Sequence, residues 1–273
     1  MKHIFAKFFF YFLLKICVIA IKKNESDPLL LKKILERINN LLGKGFAGKD
    51  SLETEVNYVK KYLDINKKLL ILDIGANKGK YSDFLIKELK SYKLILFEPN
   101  KENYNFLVKK FKDSNDIILE NLGLSNQSNK TKLFTDKLGS GLASLNKRNL
   151  SHFNKSFDVE EEIEVVKLKD YWLKNIKNQY IDLLKLDIEG HELSALEGCE
   201  DMIRYIKLVQ FEFGGCNIDS KTYFQNFWYF FQEINFEIYR MSPVKLIKVN
   251  FYSELDEFFT TTNYLAVNRN LIT

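Results

Sequence analysis

The spacing of apolar side chains changes character along the chain. Residues 4–21 are apolar except at Lys7 and Lys15. The longest uncharged run, 8–14, is well short of the ~20 apolar residues that a spanning helix needs. At 100° per residue Lys7, Lys15 and Lys22 share one sector of a helix, and Phe, Leu and Ile fill the rest. Three readings of that helix stay open: packing on the main domain or a second subunit, lying in a membrane interface with its lysines toward headgroups, or serving as a signal anchor. No small-residue cleavage site follows, so a secretory signal fits poorly. Residues 29–42 predict a second amphipathic helix, with Leu31, Ile34, Leu35, Ile38, Leu41 and Leu42 at helical spacing. Gly43, Gly45 and Gly48 then break the chain. Asp50-Ser51-Leu52-Glu53 resembles a capping box that opens a third helix, with Leu52, Val56, Val59 and Leu63 on its apolar face. This pattern divides the chain into an N-terminal helical, partly hydrophobic segment, 1–48, and a main domain, 49–273.

From residue 69 short apolar runs alternate with helical periodicity. Strands are predicted at 69–72, 93–98, 117–119, 181–186 and 208–211, and helices at 80–89, at 103–111 and from about 192. Continuous apolar runs suit strands buried on both faces. Their alternation with helices predicts an α/β fold, with a mostly parallel central sheet and helices on both faces. Residues 236–241 and 263–267 read as two further strands forming an antiparallel C-terminal pair. Residues 126–180 break the rhythm with strand-like pieces at 131–134 and 163–168 and a polar loop at Gly139-Ser140-Gly141. We read them as an insertion beside the ligand face.

Composition narrows the class. The chain has 273 residues, 46% hydrophobic, which suffices for one sizeable core. Its 14 Tyr and 23 Phe predict an aromatic-rich interior. The net charge of +5 is spread among interspersed Lys and Glu, so no basic stripe for nucleic acid is present. Cys17, Cys199 and Cys216 form no CxxC pair, and neither His3 nor His152 lies near them at zinc-ligand spacing. Reduced thiols in a cytoplasmic protein follow.

The chemistry concentrates at predicted strand ends, where open α/β sheets bind ligands. The first strand ends in Asp73-Ile74-Gly75-Ala76-Asn77-Lys78-Gly79, and the next in Glu98-Pro99. A carboxylate about twenty residues beyond such a loop can accept hydrogen bonds from both ribose hydroxyls of an adenosine. A dinucleotide site would use the same carboxylate, but its GxGxxG loop cradles a diphosphate. Here the glycines Gly75 and Gly79 are one residue closer, and Asp73 precedes them. S-adenosylmethionine carries an α-amino group and a sulfonium instead of phosphates, so an acidic loop suits it better. Farther on, Lys185, Asp187 and Glu189 alternate, and share one side if the strand stays extended to Glu189. Asp187, Glu189 and His191 are the candidate general bases for taking a proton from an acceptor hydroxyl. Glu192 and Glu212 could complete a carboxylate cluster; with Lys185 supplying positive charge, we assign it no metal.

The set resembles the FkbM family of S-adenosylmethionine-dependent methyltransferases over roughly residues 45–268. The matching pieces are Leu72 to Gly79, Phe97-Glu98-Pro99-Asn100, Asn121-Leu122-Gly123-Leu124-Ser125, Leu184 to Glu192 with Leu196-Glu197-Gly198, Phe211-Glu212 and Asn263-Tyr264-Leu265. Ser140 to Leu145 also resembles a serine-containing stretch of relatives. The resemblance implies a Rossmann-like class I methyltransferase fold and O-methylation of a small-molecule or glycan acceptor. The cofactor-binding candidates are Asp73, Gly75, Ala76, Asn77 and Gly79 of the loop, with Glu98, Pro99 and Asn121. Two alternatives remain at this point: a non-catalytic nucleotide-binding Rossmann-like module, and a nicotinamide-dependent oxidoreductase. Oligomeric state is not legible.

Overall fold

The structure, a computed structural model, describes residues 11–12, 15–16, 18–19, 28–48 and 51–272. Most of the helix expected over 4–21 lies outside the described residues. In chain order the elements are α1 (Pro28–Leu41), α2 (Leu52–Lys60), β1 (Leu69–Ile74), α3 (Lys80–Glu88), β2 (Tyr92–Phe97), α4 (Lys101–Lys110), β3 (Ile117–Glu120) and β4 (Gly123–Leu124). Then come β5 (Asn129–Thr135), β6 (Val159–Val166), α5 (Leu168–Tyr171), β7 (Ile181–Leu186), α6 (Glu192–Glu197) and β8 (Ile206–Phe213). The chain continues through α7 (Cys216–Ser220), α8 (Phe224–Glu233), β9 (Phe236–Arg240), β10 (Ile247–Lys248) and β11 (Thr262–Asn268).

Eight strands form the central sheet in the order β3-β2-β1-β7-β8-β11-β9-β10. β1, β2, β3, β7 and β8 run parallel, and β11 is antiparallel to both β8 and β9. This is the Rossmann-like class I methyltransferase arrangement, with its antiparallel strand wedged in near the C-terminal edge. β1 and β7 are buried along their whole length, because alternate residues enter different cores. Leu70, Leu72 and Ile74 join a core under α6 and α8, whereas Leu69 and Ile71 join one under α2 and α3. Period-two alternation thus explains the unbroken apolar runs.

α8 was not expected from the sequence. Phe224, Phe227 and Phe231 line its buried face, and Phe211 of β8 stacks on Phe227 with ring centroids 5.0 Å apart. The helix is the crossover that returns the chain so that β9 runs in the direction of β8. The expected capping box at the start of α2 does not form. Ser51 has helical backbone angles and its hydroxyl caps no helix N–H; it donates instead to the Gly48 carbonyl (2.8 Å) and to Glu55 Oε1 (2.5 Å). From 126–180, β6 pairs with β5 antiparallel and with β4 parallel, forming a separate three-stranded sheet.

Candidate active site

β1 and β7 are neighbours, yet the chain leaves them in opposite directions, toward β2 and toward β8. Ligands of open α/β sheets lie beyond the carboxyl ends of such a pair. Here the two ends touch. Asp187 N donates to the Ile74 carbonyl at 3.1 Å. Gly75 has φ +78°, and a Cβ there would sit 2.0 Å from the Asp187 carbonyl oxygen. Any side chain at Gly75 would force the strand ends apart.

The loop then wraps the end of β2. Gly75 N and Ala76 N both donate to the Phe97 carbonyl, at 2.9 and 3.0 Å. Asn77, at φ +50°, aims its N–H at Glu98 Oε2 (2.6 Å), and Asn100 N reaches Oε1 (2.9 Å). Burial outweighs these bonds and pushes the Glu98 carboxyl up to about 7. Gly79 adopts a left-handed conformation at the start of α3. Asn121 is exposed, and its Nδ2 donates to the carbonyls of Glu98 and Pro99 at 2.8 and 2.9 Å. It braces the turn from behind and does not line the cleft.

The cleft, open to solvent, spans about 650 Å³. Gly75, Asn77, Glu98 and Pro99 line it together with Asp187, Glu189 and His191. Leu133, Ser140, Gly141 and Ile163 roof it from the insertion. A second recess of about 930 Å³ meets it at Gly75, Asn77, Gly141 and Asp187, and is lined by Ala76, Tyr81 and Lys185.

Asp73 is fully enclosed and reaches neither space. It is the register partner of Lys185, so the two side chains leave the same face of adjacent strands. Lys185 Nζ lies 3.3 Å from Asp73 Oδ1 and 3.2 Å from Asp187 Oδ2. Burial acts to lower the Lys185 pKa, but the carboxylates of Asp73, Asp187 and Glu55 outweigh it and leave the pKa raised. Lys185 is therefore a permanent cation that ties the enclosed acid to the cleft acid.

Glu189 departs from the expected geometry. β7 ends at Leu186, and Glu189 has φ +52°, so it leaves the row of Lys185 and Asp187. Its carboxylate accepts from Arg148 Nη1 at 2.7 Å and from Cys216 Sγ at 3.0 Å. Arg148 Nε also donates to Asp219 Oδ2 at 3.1 Å. Arg148 was missed in the sequence. Its one signal is that this lysine-rich chain uses arginine at only five positions, and arginine's planar fork suits two fixed carboxylates.

Burial lowers the His191 pKa to about 4. Its neutral ring places Nε2 3.0 Å from Ser125 Oγ. Glu192 is structural in its contacts: Oε1 accepts from Ile188 N and Gly190 N, and burial raises its carboxyl to about 7. Glu212 is held well above the ordinary range by burial and by Asp187, Glu189 and Glu192. Among the described residues no three His, Cys, Asp or Glu side chains converge as a metal site would.

The profile of one protein family, described as the methyltransferase FkbM domain, matches residues 73–240. No curated protein sequence matches the chain. Among solved structures the chain is similar to a precorrin-6Y C5,15-methyltransferase from Geobacter metallireducens (10% identity, 82% of this chain and 92% of that one, TM-score 0.42). It is also similar to an rRNA methylase from Streptococcus thermophilus (11% identity, 79% and 94%, TM-score 0.43). A third is an O-methyltransferase from Bacillus cereus in complex with S-adenosylhomocysteine (10% identity, 91% and 94%, TM-score 0.42).

Proposed function

We propose, since this chain belongs to the FkbM methyltransferase family, that it methylates a hydroxyl oxygen of a glycan or sugar-containing intermediate. It is an S-adenosylmethionine-dependent methyltransferase, and the donor set fits that cofactor. Glu98 presents a carboxylate to ribose hydroxyls with both oxygens already fixed by backbone N–H groups. Pro99 and Leu124 offer apolar wall for an adenine. The bound cofactor supplies an electrophilic methyl on a sulfonium that leaves as a neutral thioether.

The observation that carries the proposal is that Glu98 and Asp187 line one cleft. The protein's task is to hold an acceptor hydroxyl in line and remove its proton as the oxygen–carbon bond forms and the carbon–sulfur bond breaks. Asp187 is the residue we assign to the proton. Its side chain is 42% exposed in the cleft, and Lys185 anchors one oxygen. Glu189, fixed by Arg148, accepts a hydrogen bond from the acceptor and orients it. His191 stays neutral and bounds the acceptor side. The carboxylates of Asp187 and Glu189 in the lining support a neutral polyol over a phosphorylated or carboxylated acceptor.

We assign catalysis to 49–273, with 126–180 as the roof. The free buried thiols of Cys199 and Cys216 support a cytoplasmic setting. Among the described residues no helix is long and apolar enough to cross a membrane. The test is incubation with isotope-labelled S-adenosylmethionine and surface-glycan precursors of the source organism, read by mass spectrometry. A labelled O-methyl sugar supports the proposal; label on nitrogen or carbon, or none despite cofactor binding, overturns it.

A further inference from the structure

The family match begins at Asp73, and the chain ahead of it has a composition of its own. Residues 1–48 hold nine Lys and Arg against three Asp and Glu, a net charge of +6. The whole chain carries +5, so residues 49–273 carry −1. The same segment carries exposed apolar side chains. On α1, Ile34, Leu35, Ile38 and Leu41 share one face at helical spacing, and each is at least 46% exposed. Lys32, Lys33 and Arg37 are exposed on the rest of the helix. Ahead of it, Tyr11, Phe12, Ile16 and Ile19 are exposed around Lys15.

α1 has a fixed root. Arg240 Nε donates to the Leu42 carbonyl at 2.7 Å, and Lys44 Nζ to the Leu255 carbonyl at 3.0 Å. Leu255, 80% exposed, adds to the apolar surface there. A helix of 14 residues is marginal in water without packing, so its apolar face needs a cover. A second copy of the chain would set one +6 segment against another. A bilayer with anionic headgroups offers apolar depth and opposite charge together. Aromatic and aliphatic residues interleaved with lysine are the composition of helices that lie in that interface.

We propose that α1, with the apolar and basic residues ahead of it, docks the protein on an anionic membrane surface. Ile34, Leu35, Ile38 and Leu41 enter the acyl boundary, and Lys32, Lys33 and Arg37 meet the headgroups. The proposal does not depend on the identity of the methyl acceptor.

The test is flotation of the full chain on vesicles of phosphatidylcholine alone or mixed with phosphatidylglycerol. The protein should float with the mixed vesicles and stay behind with the neutral ones. Binding should fall at least about tenfold between 0.1 M and 1 M salt, as the Debye length shrinks from about 10 Å to about 3 Å. Leu35→Asp with Ile38→Asp should weaken binding at least about tenfold with an unchanged thermal midpoint, because both side chains are exposed. Lys32→Glu with Lys33→Glu should do the same through charge. Equal flotation on both vesicle types, or wild-type binding by the Leu35→Asp and Ile38→Asp variant, overturns the proposal. Absence of flotation overturns it too; a dimer in light scattering that the same variant dissolves would then assign the face to a second copy.

Discussion

Glu98 governs the condition under which the cleft accepts a ribose. Its ionised form is the hydrogen-bond acceptor, and burial holds the carboxyl up at about 7. Below that pH the carboxyl is protonated and must lose its proton to accept two hydroxyls. Affinity for S-adenosylhomocysteine should fall toward tenfold per pH unit below about 7 and level off above it. Glu98→Gln should bind more weakly at pH 8 and show no such slope. Calorimetry from pH 5.5 to 8.5 reads both, and an unchanged slope in the variant would assign the proton to another group. Asp187 acts on the other reactant. Asp187→Asn should lower single-turnover methyl transfer by roughly 10²–10⁴-fold while leaving S-adenosylhomocysteine affinity nearly unchanged. Equal losses in binding and turnover would return Asp187 to a purely structural role. The sequence brought Asp187, Glu189 and His191 within one short segment, and all three line the cleft. It could not reveal that Glu189 is held by Arg148, because that contact spans 41 residues and depends on where the insertion folds back.

The insertion is fastened at its far end. Arg148 ties it to Glu189 before α6 and to Asp219 of α7, and Ser144 Oγ donates to the Glu189 carbonyl at 2.8 Å. The Arg148 and Glu189 side chains are 8% and 15% exposed, so removing one partner strands a buried charge. Arg148→Met should cost on the order of 3–5 kcal/mol and loosen the roof, raising the Kd for S-adenosylhomocysteine. Arg148→Lys should recover only part, since an ammonium cannot reproduce the fork that spans two carboxylates. Urea unfolding and calorimetry on both variants check this; a lysine variant equal to wild type would reduce the latch to simple charge pairing. At this scale the strands were the legible part, because burial on both faces writes a continuous apolar run for β1, β2 and β7. α8 was legible in principle from Phe224, Phe227 and Phe231, but its aromatic density hides the period. The wedging of β11 between β8 and β9 was not legible, because strand order is set by contacts remote in sequence.

Across the whole molecule, proton binding by buried groups decides how stability follows pH. Glu98 and Glu192 both have folded pKa values near 7, above the unfolded carboxyl at about 4.3. Each keeps a proton in the native state that the unfolded chain has already released. Stability from each is full below about pH 4.5 and is lost as pH rises to about 7, by up to roughly 3 kcal/mol. His191 works the other way. Its folded pKa of about 4 lies below the unfolded 6.5, so stability is lost as pH falls from about 6.5 to 4, by a similar amount. Two carboxyls outweigh one imidazole, so these three groups together make the ligand-free protein lose stability between about pH 5 and 7. His191→Asn should remove the opposing contribution and steepen that loss, and Glu192→Gln should flatten it. Saturating S-adenosylhomocysteine should also flatten it, because the ligand stabilises by mass action most where Glu98 is ionised. Urea unfolding at pH 5 and pH 7, with and without the ligand, separates these contributions. A His191→Asn variant with a shallower loss than wild type would show that the imidazole is charged in the native state, and that the acceptor end of the cleft is wetter than its burial implies.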